Sequence, residues 1–371
     1  MDLRLLDQTL ARRGEPRFRA SQVWAWAARG AAGYAQMTDL PASLRDALQR
    51  ELPFSTLELR EEARSRDGTV KALFDTADGR PLEAVLMRYR GSRPHAAPGR
   101  RSVCLSSQSG CPLTCTFCAT GSMRFARNLT ASEIVDQALH FRRIEPIDHC
   151  VFMGMGEPML NLENVLAACE RLPDLGVAHR RTTISTVGWI PGIERLAECG
   201  MPVRLALSLH AADEALRSQL MPVNERYALK DVLDACRAFY ARTRRRVFVE
   251  YVMLAGVNDR YEQALALARA LLGAGGDARQ TFKVNLIPYN PAGPAGGDGR
   301  GAYRCSSRQS VAAFRAALES RGAPVTVRLT RGRDIAAACG QLAADARLTP
   351  LAAHPPARAA ARGARSPAPR T

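Results

Sequence analysis

The feature that most restricts the fold of this chain is an alternation that begins near residue 102. Six short apolar segments recur: "SVCLSS" (102–107), "HCVFMGMG" (149–156), "TTISTVG" (182–188), "VRLALSLH" (203–210), "VFVEYVML" (247–254) and "FKVNLIPY" (282–289). Between them lie stretches of helical periodicity, such as "ASEIVDQALHFRR" behind Thr130, where Glu133 completes a capping box. Mostly apolar strands joined by helices form a parallel sheet with covered faces. Six βα units are fewer than the eight that close a barrel. The sequence therefore predicts an α/β fold, a partial (β/α)6 barrel, extended by one more strand at "VTVRL" (325–329). Ligands of such folds gather at the carboxyl ends of the strands. The unusual residues stand there: Cys111, Cys115 and Cys118 after the first strand, Gly156 and Glu157 after the second, then Ser185, Ser208, His210 and Asn290.

A different pattern precedes the alternation. Residues 1 to about 50 read as helices, with Ser21 as cap of "QVWAWAARG" and Pro41 opening "ASLRDALQREL". Trp24 and Trp26 cannot share a helical face, so at least one meets a neighbouring element. From Thr56 to Arg90, short apolar runs are divided by Asp67-Gly68 and Asp78-Gly79, both hairpin signals. "GSRPHAAPGRR" reads as a linker. The expected organisation is an N-terminal helical and antiparallel-hairpin accessory domain (1–91), a core (97–334), a C-terminal segment (335–349) and a disordered basic tail (350–371). The loop "NPAGPAGGDGRGAYR" is expected to be mobile.

Net charge is +16, which makes nucleic acid the first partner to consider. Arginine outnumbers lysine 49 to 3, however, so part of that excess reflects compositional bias. No apolar run approaches the roughly 18 residues of a membrane helix. The ten cysteines point to a reducing cytoplasm, where close thiols serve metals or redox chemistry more often than structural disulfides.

In "GCPLTCTFCATG" three thiols stand at spacings of four and three. Thiolates suit zinc and iron–sulfur clusters. A structural zinc wants four ligands, usually in two knuckles, and no second knuckle follows. A [4Fe–4S] cluster held by three thiolates leaves one iron open. The spacing C-x3-C-x2-C, with Phe117 before the last thiol, resembles the signature of radical S-adenosylmethionine (SAM) enzymes. "MGMGEP" resembles their glycine–glutamate motif.

A wider resemblance adds Cys104 in "SVCLSSQSGC" and Cys339 in "TRGRDIAAACGQL". With "FRASQVWAW", "EAVLM", "RNLTASEI", "STVG", "SLHA", "MPVN", "EYVML" and "VNLIPYNP", about residues 18 to 345 resemble the RlmN-type RNA adenine-C2 methyltransferases and their Cfr-type relatives. The sequence differs where Arg333 replaces a common acidic residue and where Val187 replaces a common serine. The resemblance implies that Cys111, Cys115 and Cys118 bind the cluster. It implies that Gly156, Glu157, Ser185, Ser208, Leu209, His210 and Asn290 bind SAM. Cys339 would carry a methyl group, Cys104 would resolve a covalent protein–RNA intermediate by forming a disulfide with Cys339, and Glu83 would accept the C2 proton.

C2 of adenine is too poor a nucleophile to attack a sulfonium methyl. Hence the two-stage route through S-methylcysteine and a radical that the resemblance implies. The implied partners are 23S rRNA at the peptidyl-transferase centre, tRNA carrying an adenine beside the anticodon, and a flavodoxin or ferredoxin as electron donor. No membrane is implied, and the chain would act as a monomer. Methylation at C8 is the nearest alternative. A glycyl-radical activase and a zinc-dependent RNA-binding module are the others.

Overall fold

The computed structural model describes residues 1–89, 99–273, 278–291 and 303–343. Most of the expected linker, most of the Gly- and Pro-rich loop and the whole basic tail lie outside the described residues.

Ten strands lie side by side in chain order in one sheet: β1 (Leu57–Arg64), β2 (Val70–Thr76), β3 (Pro81–Arg88), β4 (Arg101–Cys104), β5 (His149–Phe152), β6 (Thr182–Thr186), β7 (Arg204–Ser208), β8 (Val247–Met253), β9 (Phe282–Pro288) and β10 (Val325–Val327). Strands β1 to β4 pair antiparallel, and every pairing from β4 to β10 is parallel. All six expected strands form, the seventh follows at Val325, and the sheet ends at β1 and β10 without closing. Both expected hairpins form, with Gly68 and Gly79 at positive φ. The hairpin strands join the parallel sheet directly, because β3 pairs with β4 from Val85↔Cys104 to Arg88↔Arg101.

A period of two sorts the side chains. Ser102 and Cys104, Thr183 and Ser185, Arg204 and Ser208, Phe248 and Glu250, Lys283 and Asn285, and Thr326 and Arg328 face the interior of the curved sheet, where they line two adjoining cavities. The residues between them, among them Val103, Ile184, Leu205, Leu207, Val249 and Leu286, are buried in the apolar core. Tyr251 shows the outer packing, its ring 5.2 Å from Phe314 of the helix Arg308–Ser320.

The helices Leu3–Arg12, Phe18–Arg29 and Ala42–Glu51 precede the sheet. Pro41 stands at the N-cap of the third, as expected. Ser21 is not a cap, since its helix begins three residues earlier, behind Arg17. Pro16 explains the difference: its carbonyl accepts from Arg19 N at 3.0 Å, and its fixed φ suits a first turn. Both tryptophans reach neighbours, Trp24 Nε1 donating to Asp174 at 2.7 Å and Trp26 Nε1 to Asp39 at 2.6 Å. Among the described residues, no helix is long and apolar enough to cross a membrane.

The capping box forms at the helix Ala131–Ile144. Thr130 Oγ1 accepts from Glu133 N at 3.2 Å, and Glu133 Oε2 accepts from Thr130 N at 2.8 Å. Thr130→Ala is expected to cost about 1 kcal/mol of stability. A lower denaturant midpoint at an unchanged slope is the measurement that checks it.

Candidate active site

The loop after β4 carries the three thiols. Cys115 is buried and Cys111 and Cys118 are half-buried. Burial pushes the Cys111 thiol up to about 12, and it lifts Cys115 well above the usual thiol range. The neighbouring thiols add to both effects, so the three sulfurs feel one another. Arg217 acts against this at Cys115. The Arg217 residue is 1% exposed, and its guanidinium bonds Asn224 Oδ1 and donates to Val187 O at 2.7 Å. Among the described residues, no group of three or more His, Cys, Asp or Glu side chains is placed to hold a metal ion.

One backbone and one side-chain hydrogen bond tie this loop to the C-terminal segment. Ala119 N donates to Gly340 O at 2.8 Å, and Thr120 Oγ1 donates to Leu342 O at 2.7 Å. Cys339 thereby reaches a cavity of about 150 Å³ that is also lined by Cys118, Gly156, Ser185, Ser208 and His210. Ser185 Oγ and Ser208 Oγ stand 3.4 Å apart. Gly156 has φ +95°, and a Cβ there would sit 2.5 Å from Gln108 Cβ, so backbone alone fits.

His210 is fixed at positive φ, with its ring 4.6 Å from Phe117 in an edge-on contact. Its Nδ1 accepts from Val252 N at 3.0 Å, which places the ring proton on Nε2. Burial, with Arg217 nearby, lowers its pKa to about 3.

A second cavity of about 380 Å³ adjoins the first, sharing Met153, Glu250, Ile287, Arg328 and Cys339. Cys104 and Asn290 line it, and Asn290 Oδ1 is buried without a partner among the described residues. Cys104 and Cys339 are both free thiols. Burial pushes Cys104 up to about 12, with Cys339 adding to the effect. Cys339 is exposed, but the water it meets is that of the cavities it lines, and the surrounding protein still raises its thiol. Arg328 counteracts this, its Nη1 lying 3.9 Å from Cys339 Sγ and 3.7 Å from Glu250 Oε2.

Three expected contacts stand behind these walls. The Glu157 carboxylate turns away from the smaller cavity, accepting from Met159 N at 3.1 Å and Val187 N at 3.0 Å, while burial raises its pKa to about 7. Leu209 is fully buried and reaches β8 through its amide, which donates to Glu250 O at 3.0 Å. Glu83 lies apart, lining a third cavity of about 250 Å³, with Oε1 2.8 Å from Lys71 Nζ and Oε2 accepting from Ala343 N at 2.9 Å. It shares a face of β3 with Val85, the partner of Cys104.

Sequence reasoning missed Arg217, Glu250 and Arg328. The only available signal was a charged residue inside an otherwise apolar segment, as in "VFVEYVML" and "VTVRL".

The chain matches the family model of the radical SAM superfamily over residues 105–268, and that of the ribosomal RNA large subunit methyltransferase N-terminal domain over 1–52. A protein of Thermus thermophilus described as a probable dual-specificity RNA methyltransferase RlmN is 44% identical over 352 residues, covering 92% of each chain. One of the same description from Chloroflexus aurantiacus is 45% identical, over 91% of this chain and 90% of its own. The chain belongs to the RlmN family. The crystal structure of a radical SAM methyltransferase from Sphaerobacter thermophilus superposes with a TM-score of 0.82 at 41% identity, covering 93% of this chain and 98% of that one.

Radical SAM proteins use a [4Fe–4S] cluster and SAM. The residues present fit both groups. Three neighbouring thiols lie on one loop, Gly156 presents bare backbone to the cavity because a Cβ there would collide with Gln108, and two hydroxyls face the same space. Asn290 Oδ1 adds a buried acceptor next door. Cys111, Cys115 and Cys118 would hold the cluster, and Gly156, Ser185, Ser208 and His210 would border SAM.

Two outcomes are expected. Gly156→Ala should weaken SAM binding, read by equilibrium dialysis, while the reconstituted cluster absorption persists. His210 has a folded pKa far below its unfolded value, so its contribution to stability is complete above about pH 6.5 and is lost as pH falls toward 3. Urea midpoints against pH should show a shallower acid limb in His210→Asn than in the wild type.

Proposed function

We propose that this chain methylates RNA, at C2 of an adenine in 23S rRNA at the peptidyl-transferase centre and at the adenine beside the anticodon in tRNA, through a methyl group carried on Cys339. The single observation that carries the reading is the placement of Cys339 on the wall shared by the cavity of Cys118, Ser185 and Ser208 and the cavity of Cys104. A methyl carrier must face a donor on one side and an acceptor on the other.

When bound, the cluster and SAM supply an electron, a methyl group and a hydrogen-abstracting radical. Cys339 acts first as a thiolate, its sulfur forming a bond to the methyl carbon as the sulfonium S–CH3 bond breaks and S-adenosylhomocysteine leaves, and the Arg328 guanidinium favours the thiolate charge. The radical adduct gives up one electron, which the oxidised cluster would take back. Cys104 then bonds to the Cys339 sulfur as a disulfide while the Cys339 S–C bond breaks. The carbon keeps the bonding pair, takes up the Cys104 proton and leaves as the methyl group of the free base. By the family resemblance Glu83 takes the C2 proton, for which its carboxylate must turn from Lys71 and Ala343 N toward the Cys104 side of β3. A flavodoxin or ferredoxin provides electrons, and the chain acts in the cytoplasm as a monomer. The relatives' description as dual-specificity RNA methyltransferases supports two RNA substrates.

Replacing Cys111, Cys115 or Cys118 by alanine should abolish cluster absorption and SAM cleavage together. Cys339→Ala should keep the cluster and leave the RNA unmethylated. Cys104→Ala should accumulate a nuclease-sensitive protein–RNA adduct that is absent when both cysteines are replaced. Methylated RNA from Cys339→Ala would refute the carrier role, and mass spectrometry of the nucleosides distinguishes C2 from C8.

A further inference from the structure

The larger cavity has a second end. From Cys104 and Cys339 it runs to the first residues of the strands, where Arg204 opens β7 and Lys283 is the second residue of β9. Arg181 and Arg100, just before β6 and β4, complete a ring of four cations around this mouth. Positive charge on the surface of an arginine-rich chain says little, but these four contrast with Arg328 and Arg331, which line the same cavity and pair with Glu250 and Asp67. They surround a cavity that leads to the two reactive thiols, and among the described residues none of them forms an ion pair with a carboxylate. The nearby acids are already engaged, Asp148 with His149 and Arg101 N, and Glu250 deeper inside with Asn285 and Arg328.

Aromatic rings stand among the cations. Arg100 lies 4.1 Å from the ring centre of Tyr89, and Arg204 lies 5.9 Å from that of Phe248, both rings on the cavity wall. Unpaired cations interleaved with aromatic faces are what a single-stranded nucleic acid requires: charge for phosphates and π-faces for bases. We infer that this amino-terminal mouth is the entrance through which an unpaired stretch of RNA inserts its target base, with Arg181, Arg204 and Lys283 gripping the flanking phosphates. The inference deepens the proposed function and rests on it. It assigns the RNA to the end of the barrel opposite the thiol loop, so that the base and SAM approach Cys339 from different sides.

The chain has only three lysines, Lys71, Lys230 and Lys283, which permits a direct test on the wild-type protein. Holoenzyme is treated with a limiting acetylating reagent, alone or with a hairpin transcript bearing an unpaired adenine, and peptides are read by mass spectrometry. RNA should protect Lys283 and leave Lys230, which is exposed on an outer helix, unprotected. Nucleosides from the same tubes are analysed for methyladenine. Methylated RNA without protection of Lys283 overturns the entrance and leaves the activity standing, whereas neither methylation nor protection overturns both. Equal protection by polyglutamate at matched charge also overturns the inference, because any polyanion would then suffice.

A variant carrying Arg181→Gln, Arg204→Gln and Lys283→Gln gives a second reading. Its slope of log affinity against log salt should fall by about 2, at about 0.7 for each single-strand phosphate that is no longer neutralised. A control with Arg242→Gln, Arg308→Gln and Arg321→Gln should change that slope less. Equal slopes in the two variants would overturn the assignment.

Discussion

The amide of Ala119 donates to the carbonyl of Gly340, and the site is built around that bond. It joins the loop that carries three thiols to the segment that carries Cys339, two parts of the chain that regular secondary structure does not connect. The segment from Gly332 to Ala343 contains only one short helical turn, Arg333–Ile335. Its position therefore comes from partners elsewhere. Asp67 Oδ2 accepts from Gly332 N at 3.0 Å, Ser65 Oγ donates to Asp334 at 2.6 Å, Gln341 donates to Pro291 O at 2.8 Å, and Ala343 N donates to Glu83. Bonds of this kind contribute about 1 kcal/mol each. Together they define one place for Cys339, yet none alone fixes it. The proposed methyl carrier must meet a donor and then an acceptor, and that combination suits it.

The hairpins matter for the same reason. The turn Ser65–Thr69 lies in the antiparallel part of the sheet, yet it holds the C-terminal segment at Gly332 and Asp334. The exchange is reciprocal, because a carboxylate of each partner accepts from a backbone amide of the other. The N-terminal part of the chain thus reaches the site through the sheet it shares and through the segment it holds.

The architecture was legible in the sequence because it depends on repetition. Six apolar strands, two Asp-Gly turns and the Thr130 capping box each carry a local signal that tertiary packing does not override. Ser21 misleads because Ser is a good cap wherever it stands, while the turn three residues earlier is set by Pro16. In the site, position along a strand was legible but direction was not. Glu157 and Gly156 are neighbours in sequence, yet one faces the cavity with bare backbone and the other turns its carboxylate to Val187 N. Arg204 and Lys283 were hidden differently. Each sits in a segment apolar enough to read as covered on both faces, whereas the inner face of these strands is polar.

That inner polarity follows from what the cavity must contain. A buried guanidinium is costly unless it is paired and hydrogen-bonded. Burial disfavours the charge of Arg328, but Glu250 and the two thiols more than offset that, and the cation is held. The same cation lies beside Cys339, in surroundings that otherwise favour the neutral thiol. An uncharged side chain of equal volume would fill the space and leave the Cys339 thiol raised further, and so a poorer nucleophile. Glu250 anchors Arg328 and also competes with the thiols for it, since the carboxylate at 3.7 Å and the sulfur at 3.9 Å address the same nitrogen. A charge shared in this way suits the proposed change of the Cys339 sulfur from thiolate to thioether, because Glu250 would remain as the partner of Arg328 once the sulfur carried no charge.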